Sequence, residues 1–168
     1  TITQLVLSQE LGAVGDQRER MEGSIQFRAD VAEVVDAPVS PSEPASFLQS
    51  LVDATRARAE ELTAAVEAND HVREQFNSYT DGLEANAAHV HERLADAEFG
   101  TFDVLNAALD YNYSWKIYEG ERLQAEYGSS LSEDANRALD DLLETLQLFG
   151  PAREHIKTLY FQWELINL

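Results

Sequence analysis

Between Leu62 and Leu94 one register of positions returns every three or four residues, at Leu62, Val66, Asn69, Arg73, Phe76, Thr80, Leu83, Ala87, Val90 and Leu94, and all but two of them suit a buried stripe. That spacing tracks the 3.6-residue turn and commits the stretch to amphipathic helix, whose stripe must be covered by other helices. Upstream the pattern extends through Phe47, Leu48, Leu51 and Ala59. Asn69 and Arg73 are polar where the stripe calls for apolar residues. The stretch is then one helix of about 52 residues, ~78 Å long, or two helices meeting at Asn69-Asp70. Two is the preferred reading, because Asn tolerates left-handed backbone and Asp caps helices. In "SPSEPASFLQ", Ser46 and Gln49 fit a capping box, with Pro41 and Pro44 closing the preceding element.

Further on, "FGTFD" at 99–103 suggests a break, Gly100 ending one helix and Thr101 capping the next. A helix is expected over 102–127, ended by Gly128, with Ser130 or Ser132 opening another. That last helix carries Leu139, Leu142, Leu146, Phe149, Ile156, Tyr160 and Trp163 and is interrupted at Gly150-Pro151. Proline inside a helix costs about 3 kcal/mol, so a kink or a fresh start with Pro151 in the first turn is expected. Residues 1–36 read as an N-terminal helix or a hairpin. Leu7, Leu11, Val14 and Met21 fit a helical stripe, while "SIQFRADV" alternates as a strand does. Residues 37–45, "APVSPSEPA", are a linker. The fold expected is mainly α, an antiparallel bundle of four or five long helices, with a short β element within 1–36 as the alternative to helix there. One helical domain spans 1–168, with the bundle over 46–168. The start at Thr1 and the apolar end "TLYFQWELINL" suggest a segment of a longer chain.

Charge narrows the function classes. Twelve basic against 31 acidic residues leave a net −19, and only Lys116 and Lys157 are lysines. An apolar content of 44% still allows a core. A folded, acidic, lysine-poor chain resembles proteins of archaeal halophiles, in which multimolar salt screens the self-repulsion. Nucleic acid is an unsuitable partner, since phosphate binding rests on basic side chains and weakens as salt rises. Cysteine is absent, which removes disulfides and thiol chemistry. No run of about 18 apolar residues is present to span a membrane, and no signal peptide is visible.

"AALDYNYSWKIYEGERL", residues 107–123, concentrates three of the six tyrosines and one of two tryptophans. On a continuous helix Val104, Ala108, Tyr111, Trp115 and Tyr118 form one stripe and Phe102, Leu105, Leu109, Tyr113 and Ile117 a second. A helix apolar on so many sides is expected to be central, with the aromatics as core. The alternative is a ligand pocket of Tyr111, Trp115, Tyr118, Tyr160 and Trp163, suited to a cation such as a quaternary ammonium solute. Asn112-Tyr113-Ser114 matches an N-glycosylation acceptor; mid-helix among aromatics, it is expected to be buried and unused. His71, His89, His91 and His155 lack the Glu-x-x-His spacing of a di-metal bundle site. Neither a nucleophile elbow nor a phosphate-cradling glycine loop is present. No metal, cofactor or catalytic residue is therefore expected. The expected function is a non-catalytic structural or interaction module, working by protein partnership or self-association. It sits in a halophile's cytoplasm or on the outer face of a membrane that anchors its parent. A sensor using the aromatic pocket is the alternative.

Overall fold

In a computed structural model of the chain, the described residues are 29, 30, 33, 44–97 and 103–166, with the Trp163 side chain outside that set. The chain divides into two compact units, Thr1–Ser40 and Pro41–Leu168. In the first, Ala29, Asp30 and Glu33 are helical. The rest of the helix-or-hairpin question over 1–36 lies outside the described residues, as does the break expected at Gly100-Thr101. In the second unit the elements are α1 (Pro44–Ala65), α2 (Asp70–Ala95), α3 (Asp103–Leu109), α4 (Tyr113–Tyr127), a 3-10 turn at Gly128–Ser130, α5 (Glu133–Gln147) and α6 (Phe149–Ile166). The chain is mainly helical, and no strand occurs among the described residues.

The stretch from 46 to 97 is two helices. Asn69 caps α2 from an extended conformation, its side chain accepting from the Val72 N–H at 3.0 Å. It works as an N-cap, not through left-handed backbone. The capping box at Ser46 does not form, because α1 already begins at Pro44. Proline suits a first turn, where its missing N–H has no helical partner to lose. Gln49 instead reaches across to the His91 carbonyl at 3.5 Å. At the far end Ser132 caps α5, accepting from the Ala135 N–H. Pro151 sits in the first turn of α6, after a turn at Leu148.

The helix expected over 102–127 is broken. Residues 110–112 separate α3 from α4, and the break is held from outside. Asn86 of α2 donates to the Asp110 carbonyl at 3.1 Å and accepts from the Asn112 N–H at 3.0 Å. Arg93 pairs with Asp110. Nor is α4 the central helix: it buries only Gly120 and Leu123, whereas α1 buries nine residues.

Cross-helix pairs set the directions. Gln49 meets His91, Arg56 meets Glu84 and Thr63 meets Thr80, so α1 and α2 run antiparallel. Gln124 meets Asp140 and Gly128 meets Asn136, so α4 and α5 do the same. α5 also packs along α1, and α4 along α2. The α2 stripe of Val72, Phe76, Tyr79, Leu83, Ala87, Val90 and Leu94 is buried, as its spacing requires.

Where α2 meets α4, two side chains bracket the crossing. The Tyr79 hydroxyl donates to the Lys116 carbonyl at 2.8 Å, and Lys116 Nζ returns to the Tyr79 carbonyl at 3.4 Å and lies over its ring. Gly120 makes room for this approach. A Cβ there would lie 2.7 Å from both the Tyr79 hydroxyl and Leu143 Cδ2. Gly120→Ala is expected to destabilise by about 1–3 kcal/mol through overpacking, although alanine favours a helix by ~1 kcal/mol. Denaturant unfolding should show a smaller penalty when Tyr79→Phe has removed one of the two obstructing atoms. An equal penalty in both backgrounds would place the crowding elsewhere.

Candidate functional site

The aromatic segment divides at the break. Tyr111 lies within residues 110–112 and points inward, 2% exposed. Its ring packs on Phe149 with centroids 4.3 Å apart. Its hydroxyl meets Thr55 Oγ1 at 2.7 Å, and Thr55 itself donates to the Val52 carbonyl. Tyr111 is therefore the donor to Thr55, and both buried hydroxyls are satisfied. Beyond the break, Trp115 and Tyr118 are 57% and 56% exposed, their rings 5.3 Å apart. This corrects the expectation that both are core. Leu109 is exposed as well.

The phase of the helix explains the split. Tyr111, Trp115 and Tyr118 share a face only if 107–123 is one helix. Three non-helical residues reset the rotation, so Tyr111 turns in and the other two turn out. Asp110 and Asn112, both turn and cap formers, were the signal for it. Among the five aromatic positions expected to line a pocket, Tyr160 is also buried, and Trp163's side chain lies outside the described residues. Asn112 and Ser114 are exposed, against the expectation of a buried acceptor sequence.

Burial pushes the phenols of Tyr79 and Tyr111 well above the ordinary tyrosine range, Glu119 adding to the effect at Tyr79 and the Thr55 bond reducing it at Tyr111. An unfolded tyrosine ionises near pH 10. The folded state keeps the proton beyond that point, so the stabilisation from neutral phenols is full below about pH 10 and is lost as pH rises further. Alkaline titration should show Tyr79 and Tyr111 ionising only as helix is lost. In Tyr79→Phe/Tyr111→Phe the joint step in phenolate absorbance should be missing and the decline of stability with pH shallower. Phenolate appearing at these residues while the far-ultraviolet signal stays native would contradict their burial.

Polar groups gather between α1 and α2. Arg56 forks onto Glu84, with Nη2 at 2.5 Å and Nε at 2.9 Å, and this hydrogen bonding holds its guanidinium further above the usual arginine value. Asp53 stands 3.6 Å from Arg56 and 2.9 Å from His91 Nδ1, the latter without hydrogen-bond alignment. All four side chains are partly exposed, so each pair contributes at most about 1 kcal/mol. A shallow groove of about 410 Å³ beside them is lined by Glu60, Thr63, Thr80, Asp81 and Glu84 among others. His71 meets the Tyr127 hydroxyl at 3.3 Å. Among the described residues no group of three or more His, Cys, Asp or Glu is placed to hold a metal ion.

One surface was not anticipated. On α6 the buried positions Phe149, Ala152, Ile156 and Tyr160 follow the expected stripe. On the opposite side of the last turns, Phe161 and Leu165, one turn apart, are 66% and 74% exposed, and Ile166 at the end of the helix is 82% exposed. An apolar arc too wide for one buried stripe was visible in "TLYFQWELI" and marks this face.

The chain belongs to the family of unknown function DUF7972, whose model matches residues 1–168. No curated protein and no solved structure matches it.

Proposed function

We propose that this family member is a non-catalytic helical interaction module of a halophilic protein, lying outside the bilayer as part of a membrane-anchored parent. Its frame in this reading is an antiparallel four-helix bundle of α1, α2, α4 and α5, two hairpins closed on each other through the α1–α5 and α2–α4 faces. No described helix is long and apolar enough to cross a membrane, so the anchor belongs elsewhere in the parent. The aromatic positions that a ligand sensor would need divide between interior (Tyr111, Tyr160) and surface (Trp115, Tyr118), which favours the interaction reading.

The observation that carries it is the exposed face of Phe161 and Leu165, with exposed Ile166 beside it at the end of α6. Large apolar side chains grouped on a surface favour association over solvation. Charge favours a second copy as the occupant. Arg153 and Lys157 balance Glu154 and Glu164, so α6 carries no net side-chain charge (His neutral) in a chain of net −19. Two copies meeting along α6 avoid most of the repulsion they would meet elsewhere. Sedimentation equilibrium in 3 M KCl should give a reversible dimer for the native chain and a monomer for Leu165→Asp, with equal helical content. A native chain that stays monomeric at its highest soluble concentration would count against this reading.

A further inference from the structure

Asn112-Tyr113-Ser114 is the one Asn-x-Ser/Thr sequence in the 168 residues, and the fold puts it where an acceptor belongs. Asn112 and Ser114 are both exposed, at the junction of the 110–112 break and the first turn of α4. The Asn112 side chain makes no capping hydrogen bond, although it occupies the N-cap position where asparagine normally makes one. Its backbone is nonetheless fixed. Asn86 holds the Asn112 N–H and the Asp110 carbonyl, Arg93 pairs with Asp110, and Tyr111 is anchored inward on Thr55. A rigid frame thus presents a carboxamide with no capping role. Three residues along, in the first turn of α4, Trp115 is exposed and stacks obliquely with the exposed Tyr118. These exposed rings form an apolar shelf suited to the C–H face of a sugar ring.

We propose that Asn112 is the acceptor of an N-linked glycan whose first sugar rests against Trp115 and Tyr118. The donor class is an oligosaccharide joined through its anomeric carbon to a lipid phosphate or diphosphate. Asn112 Nδ2 forms a bond to that carbon as the carbon–oxygen bond to phosphate breaks. The lipid phosphate leaves with the bonding electron pair, and one Nδ2 proton passes to a base of the transferase. Nothing is oxidised or reduced. The proposal rests on the outer-face placement in the reading above, but not on α6 pairing. Sedimentation can therefore fail while the modification stands, and the reverse.

The test uses the full protein isolated from the cells that make it, digested with trypsin and analysed by mass spectrometry. No Lys or Arg lies between Arg93 and Lys116, so residues 94–116 emerge as one peptide. Its mass should exceed the sequence mass by whole sugar residues, with the addition fragmenting at Asn112. The addition should be lost completely in Asn112→Gln and Ser114→Ala and retained in Ser114→Thr, all three keeping native helical circular dichroism. A native peptide at its bare sequence mass overturns the proposal. So does an added mass that survives Ser114→Ala, since it cannot depend on the acceptor sequence.

Discussion

Truncating Tyr111 to alanine is expected to cost about 3–5 kcal/mol of unfolding free energy, while Trp115→Ala costs less than about 0.5 kcal/mol. The two residues lie four apart and would be equivalent on one continuous helix. Tyr111 fills the space between Phe149 and Thr55, so its removal leaves a cavity and strips Thr55 Oγ1 of its donor. Trp115 leaves more than half its surface in solvent and touches Tyr118, itself exposed. Tyr111→Phe separates the contributions. It keeps the ring and should cost about 1 kcal/mol for the lost hydrogen bond, a loss that Thr55→Val in the same chain should largely relieve. The measurement is denaturant unfolding in concentrated salt, with the slope against denaturant checked for constancy. Equal penalties for Tyr111→Ala and Trp115→Ala would mean that the helix is not broken at 110–112.

That contrast also shows which parts of the fold were legible. The α2 stripe and the α1–α2 boundary follow from short-range rules. A 3–4 spacing names the buried face, and Asn69 stands where the spacing turns polar. The break at 110–112 was harder, because apolar residues continue through it and only Asp110 and Asn112 mark it. Its stability comes from Asn86 and Arg93, more than fifteen residues upstream. A local pattern cannot register partners at that separation. Once the phase is lost, each later position inherits the error, which is why Trp115 and Tyr118 read as core. The same dependence hid the exposed end of α6. Apolar spacing says that Phe161 and Leu165 share a face, but not whether another helix covers it. The acceptor sequence at Asn112 was legible as a motif, while its exposure depended on the unforeseen break. For Gly120 the sequence gives no hint of a neighbour, since its room is taken by Tyr79 and Leu143 from two other helices.

Transfer from 3 M to 0.1 M KCl is expected to unfold or greatly loosen the chain, seen as loss of helical circular dichroism. The charge surplus has no protein counterpart. Among the described residues Arg56, Arg58, Arg73, Arg93, Lys116, Arg122, Arg137 and Lys157 are already in ion pairs, and Arg153 lies over the Tyr113 ring. Exposed carboxylates such as Glu60, Glu67, Asp81, Glu121 and Glu144 lie outside those pairs. On α5, Glu133, Asp134, Asp140, Asp141 and Glu144 are answered by Arg137 alone within that helix, and Asp140 and Glu144 stand one turn apart. Like charges at that spacing destabilise a helix. At 0.1 M salt the screening length is about 10 Å, comparable to the distance between neighbouring helices; at 1 M it is about 3 Å, and such pairs scarcely interact. Folding brings these charges together, so low salt penalises the folded state most. Asp140→Asn, Asp141→Asn and Glu144→Gln in one chain should therefore move the unfolding midpoint to lower KCl, leaving the buried face of α5 unchanged. Asn at 140 keeps an oxygen to accept from Gln124. Equal unfolding free energy in 0.1 M and 3 M KCl would remove the case for salt adaptation. If the triple variant instead needs the same salt as the native chain, carboxylate repulsion on α5 is not what the salt relieves.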